Sequence, residues 1–161
     1  ARKEILARLG TGNGISAHQQ APLQPAFVIA AQSRVQLLKQ KLEAVQTSVD
    51  IVSSESEIAA SIAGFLESLD SPLEVGVVPG YDLSALDNDS GLRFYRCDDP
   101  ATCHSLLSRA AYGIAETGSV VQASGPHSPT LANFLPDNCI FVLKEQHIFA
   151  YLEDALLQVQ Q

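Results

Sequence analysis

The residues best suited to chemistry stand in one run, Ala111-Tyr112-Gly113-Ile114-Ala115-Glu116-Thr117-Gly118-Ser119-Val120-Val121. An apolar stretch ends in the carboxylate of Glu116, a Thr-Gly pair follows, and a second apolar stretch departs at once. A charged group set so close to apolar neighbours normally has a task or a partner. Glu116 is therefore the candidate acid or base, or the acceptor for a ligand hydroxyl. Thr117, Gly118 and Ser119 add two hydroxyls and several backbone amides, and successive amides in a turn form a concave nest for a small anion. The plainer alternative is a carboxylate that accepts hydrogen bonds from its own turn.

Pro79-Gly80 is a second candidate, because it ends an apolar run and Gly80 lets a ligand approach the backbone. His127 is a third, in the loop Gly125-Pro126-His127-Ser128-Pro129, since loops carry function and imidazole titrates near neutral pH. Other chemistries lack their patterns. There is no GxxxxGK[ST] phosphate loop and no GxSxG nucleophile elbow. His18, His104 and His147 show no HxH or HExxH spacing, so no dedicated metal site is expected. Cys97, Cys103 and Cys139 form no CxxC pair, which argues against an iron–sulfur cluster and a disulfide framework. Cys103 and Cys139 read as small core residues.

Periodicity supplies the elements that must position these groups. Arg2–Leu9 reads as a short amphipathic helix with Ile5, Leu6 and Leu9 on one stripe. Residues 1–25 form this arm and a mobile Gly- and Pro-punctuated linker, and 26–161 the compact domain. Ser33 caps a helix to about Gln46, with Val35, Leu38, Leu42 and Val45 as its apolar stripe. A short strand at Val49–Val52, a helix from Glu55 to Leu69 capped by Ser54, and a buried strand at Leu73–Val78 come next. Leu92–Tyr95 reads as a strand. Asp98-Asp99-Pro100 opens a helix over Ala101–Arg109.

The central run then makes a hairpin. A two-residue Thr117-Gly118 loop would place Glu116 opposite Ser119 and Ile114 opposite Val121. Small Ala111, Gly113 and Ala115 would let the other face pack closely. Cys139–Leu143 reads as a last strand and Ile148–Val159 as a closing helix. The alternation predicts an α/β domain with a mixed, mainly parallel sheet flanked by helices.

The 161 residues suffice for one domain, and 46% hydrophobic residues suffice for a core built on Leu, Ile, Val and Ala. A net charge of −8 with scattered basic residues argues against a nucleic-acid or anionic-membrane surface. No apolar run reaches membrane-spanning length, and the charged start lacks a leader's apolar core, so cytoplasmic residence is expected.

The string Tyr112–Val121 resembles the signature of the lactate utilization protein C family, the LUD domain. Arg2–Leu9 looks like the family's opening, and Leu135-Pro136 with Cys139–Leu143 looks like its closing section. Where the family carries a basic loop, Ser124–Phe134 here has no Arg or Lys. The resemblance implies a fold like that of the sugar-phosphate isomerase and CoA-transferase superfamily. It also implies an accessory or non-redox role in oxidising L-lactate to pyruvate, with iron–sulfur clusters on partner proteins and none on this chain. The competing expectation is a small-molecule enzyme of the isomerase or cyclo-ligase type that uses Glu116 as acid or base on a small anionic ligand.

Overall fold

The computed structural model describes residues 29–30, 33–86, 90–125 and 129–159. The expected arm, linker and domain boundary in 1–28, and His127, lie outside the described residues. Helix α1 spans Arg34–Ala44, with Ser33 at its N-cap but no cap bond from the Ser33 hydroxyl. Leu38 is buried, and Val35 and Leu42 pack beside it, as the stripe predicts. Val45 leaves the stripe: it lies past the helix end and is 70% exposed.

The expected strand at Val49–Val52 is irregular chain instead. Side chains occupy its backbone groups: Lys39 Nζ donates to the Val49 carbonyl at 2.9 Å and the Ile51 amide to Asp50 Oδ1 at 2.9 Å. Ser61 Oγ donates to Asp50 Oδ2 at 2.7 Å, and this bond is the main cause that holds the Asp50 carboxyl below its ordinary range. A 3-10 turn at Glu55–Glu57 leads into α2, Ile58–Ser68. Glu57, rather than Ser54, serves its start, accepting from the Ser53 amide at 2.8 Å. Ile58, Ala59, Ile62, Ala63 and Leu66 form its buried face.

Strands β1 (Glu74–Val77), β2 (Arg93–Arg96), β3 (Ser105–Arg109) and β6 (Asn138–Val142) make a four-stranded sheet in the order β2-β1-β3-β6. All its pairings are parallel. Strand β3 replaces the helix expected over Ala101–Arg109. The Asp99 cap is real, but it closes only a 3-10 turn at Pro100–Thr102. Leu106 and Leu107 are then buried on both faces of the sheet, where a central strand loses the alternation that would announce it. Ser105 and Ser108 are buried too, and accept from Asn138 Nδ2 at 3.1 Å and Gln122 Nε2 at 2.9 Å.

A second sheet holds β4 (Tyr112–Ile114), β5 (Ser119–Val121) and β7 (Ile148–Phe149) in the order β5-β4-β7. It contains the antiparallel pair, β4 with β5, and a parallel pair, β4 with β7. The fold class is thus borne out, with the mixing confined to this smaller sheet. The closing helix is shorter than expected: α3 spans Leu152–Val159, because Ile148 and Phe149 pair with Gly113 and Ile114 instead. No helix among the described residues is long and apolar enough to cross a membrane.

Cys97 and Cys103 are joined by a disulfide, against the expectation of unpaired thiols. The strand that replaced the helix brings Cys103 back beside the end of β2, six positions after Cys97. Thiol titration of denatured chain should find one reactive group without reductant, Cys139, and all three after reduction. Three groups without reductant would contradict the bridge.

Candidate functional site

Two places in this architecture gather the predicted residues. The first is the turn after β4. Ile114 pairs with Ser119 and Tyr112 with Val121, so the loop has four residues, Ala115–Gly118. The expected pairing of Glu116 with Ser119 is therefore wrong. Strand β7 causes the difference: the Ala115 and Glu116 amides donate to the Phe149 and Ala150 carbonyls at 2.9 and 3.0 Å. The chain stays bound to β7 for two residues after it has left β5. The Gly118 amide closes the turn on the Ile114 carbonyl at 3.0 Å.

Gly118 has φ +70°, which side chains rarely adopt. A Cβ there would sit 2.5 Å from Lys41 Cβ on α1, so the helix backs directly onto the turn. On β4, a Cβ at Gly113 would sit 2.7 Å from Leu143 Cδ2 and 2.8 Å from Leu38 Cδ2, and Ala115 is fully buried beside Leu38. The small residues do seat the turn against the core, as their spacing predicts. Thr117 and Ser119 are exposed, and their hydroxyls lie 2.8 Å apart, with Thr117 donating.

Glu116 is half-buried, and among the described residues its carboxylate has no hydrogen bond or ion pair. That removes the plainer alternative, because the carboxylate does not brace its own turn. Lys41, in the last turn of α1, was missed by the sequence reading. Nothing in local spacing links it to Gly118; only the packing of α1 on β4 brings them together.

The second place is the carboxyl rim of the parallel sheet. Strand order reverses between β1 and β3, and open α/β sheets bind ligands outside the carboxyl ends at such a point. Pro79-Gly80 leaves β1 there. Arg96 Nη1 ties that loop down, lying 3.1, 2.9 and 2.7 Å from the Val78, Pro79 and Tyr81 carbonyls. Pro79-Gly80 thus follows a strand of the first sheet and Glu116–Gly118 a strand of the second, with Ser119 opening β5.

Two cavities among the described residues are of ligand size. One, of about 580 Å³, lies where the chain passes from β3 to β4, and Arg109, Tyr112, Gln146, His147 and Gln158 line it. The other, of about 1050 Å³, is a mostly apolar groove between α1, α2 and β6. Neither is bordered by Glu116, Pro79 or Gly80. Among the described residues no group of three or more His, Cys, Asp and Glu side chains is placed to hold a metal ion. His104 is instead paired with Asp137, Nδ1 to Oδ2 at 2.6 Å.

The described geometry can be set beside known proteins. The family model of the LUD domain matches residues 96–161. The structure of a DUF162 family protein from Deinococcus radiodurans superposes with a TM-score of 0.67 at 18% identity. That match covers 83% of this chain and 82% of the other, and at this identity it speaks for the fold alone. No curated protein matches the chain. The resemblance carried by Tyr112–Val121 is thus borne out as a match: residues 96–161, which contain the Glu116 turn, are similar to the LUD domain.

Proposed function

We propose that the chain is a non-redox subunit or accessory protein of an iron–sulfur protein system that oxidises L-lactate to pyruvate. The observation that carries this reading is the Glu116 turn. It lies within the LUD-domain match, it packs closely against α1 at Gly118, and among the described residues it presents an unpartnered carboxylate next to two exposed hydroxyl residues. Such a turn suits contact with a partner protein better than enclosed chemistry. An isomerase or cyclo-ligase acting through Glu116 calls for a ligand-sized cavity around that carboxylate, whereas the two cavities described above are lined by other residues.

The clusters belong to the partners in this reading. A cluster takes about four thiolates, and here two of three cysteines are bridged. Burial pushes the remaining thiol, Cys139, up and disfavours its thiolate. A strain of the source organism lacking this chain should fail to grow on L-lactate and still grow on pyruvate. Normal growth on L-lactate would contradict the proposal.

A further inference from the structure

The cleft at the passage from β3 to β4 holds chemistry that the Glu116 turn does not use. The chain changes sheets at Ala110 and Ala111: the Ala110 amide bonds Val142 of the first sheet, and the Ala111 amide bonds Val121 of the second. A strand that changes partners leaves a gap beside it, and the turn at Glu145–His147 and helix α3 wall that gap without filling it. At about 580 Å³ it is of the size that small-molecule sites have.

Its lining is mixed: Arg109, two amides, a phenol and an imidazole stand among Ala110, Ala111 and Phe149. No carboxylate borders it, although the chain carries 18 acidic residues against 10 basic ones. Among the described cations, Arg93 is engaged by Glu74, Lys39 by Glu43, Lys144 by Glu55 and Arg96 by three carbonyls, whereas Arg34, Lys41 and Arg109 have no ion pair. Arg109 has no ion pair or hydrogen bond among the described residues. Its guanidinium carbon lies 5.0 Å from the ring centroid of Tyr81, which is itself buried. Stacking occupies a face of the guanidinium and leaves its edge, where the N–H donors are, open. Asp82, two residues from the rim glycine, is engaged by the Ser84 amide and hydroxyl at 2.9 and 2.8 Å.

Arg109 lines a cleft whose lining holds no carboxylate, and its guanidinium, stacked on a buried ring and within electrostatic reach of Asp82, keeps a donor edge that suits a planar or tetrahedral oxyanion. The fork of Arg donors matches carboxylate and phosphate oxygens in pairs. Holding the side chain in advance lowers the entropy lost on binding. Tyr112, Gln146 and Gln158 bring a hydroxyl and two amides for hydroxyl or carbonyl groups on the rest of the molecule.

We propose that this cleft binds the oxyanion of a small organic acid or phosphate ester, with Arg109 as its charge partner. The inference does not rest on the lactate reading.

Calorimetric titration of the full chain at low salt with pyruvate, L-lactate and inorganic phosphate tests it. At least one should bind saturably at one site. Binding by phosphate alone assigns a phosphate ester and leaves the lactate reading untouched; binding by pyruvate or L-lactate assigns a carboxylic acid. Arg109→Gln should weaken the binding about tenfold or more, the size expected for a lost charged hydrogen bond. Arg93→Gln, on β2 in its pair with Glu74, should leave it unchanged. If Arg109→Gln unfolds the chain by releasing Tyr81, Gln158→Ala on exposed α3 serves in its place, with a loss of roughly twofold to tenfold. Absence of saturable binding by all three probes, or binding unchanged in Arg109→Gln or in its substitute, overturns the proposal.

Discussion

Gly118→Val should lower the melting temperature by about 6–20 °C, the shift for about 3–5 kcal/mol in a chain of this size. Two costs add. A β-branched residue at φ +70° is a conformational outlier. Its Cβ would also meet Lys41 Cβ at 2.5 Å, and that atom sits on the body of α1 rather than at the free end of a side chain. Relief requires the turn to lift from the helix, and lifting it strains the bonds from Ala115 and Glu116 to β7. A thermal melt within about 2 °C of the parent would show that α1 does not support the turn.

Glu116→Gln should do the opposite: abolish lactate-dependent growth at nearly unchanged stability. The carboxylate has no partner among the described residues, so its neutral isostere breaks no bond. Substitutions of that kind shift stability within about 0.5 kcal/mol, or about 2 °C in melting temperature. Loss of charge still removes whatever a partner or ligand engages there. Comparing growth on L-lactate with a melt of the same variant separates the two roles. Normal growth, or a growth defect that tracks a large drop in melting temperature, would remove Glu116 from the site.

The sequence announced those elements whose burial is one-sided or whose ends carry caps. Helix α1 is legible because Val35, Leu38 and Leu42 repeat at helical spacing against one neighbour cluster. Strand β1 is legible as an apolar run closed by Pro79-Gly80. Strand β3 was not, because a strand buried on both faces carries no alternation, and its two buried serines read as polar. The cap signal at Asp99-Pro100 was sound as local chemistry but committed the chain to one turn only. Tertiary pairing with β1 and β6 decided the rest.

The turn residues were found, and their register was not. Gly118 declares its positive φ in the sequence, but the loop length depends on β7, about thirty residues downstream, which holds Ala115 and Glu116 by their amides. A two-residue separation of apolar runs says nothing about such a third strand. Arg109 and Lys41 were missed for the same reason. One ends a strand that read as a helix, and the other faces the turn only through the docking of α1. The Cys97–Cys103 bridge follows too from the chain's return at β3, which spacing alone does not reveal.

The most direct test is purification of the tagged full chain, under anaerobic conditions, from source cells growing on L-lactate. The account predicts that it elutes with partner proteins that carry iron–sulfur absorbance, that the iron stays with those partners when they are separated, and that Glu116→Gln loses them while remaining folded. Elution of the parent chain without an iron-bearing partner, from cells actively oxidising L-lactate, would contradict it.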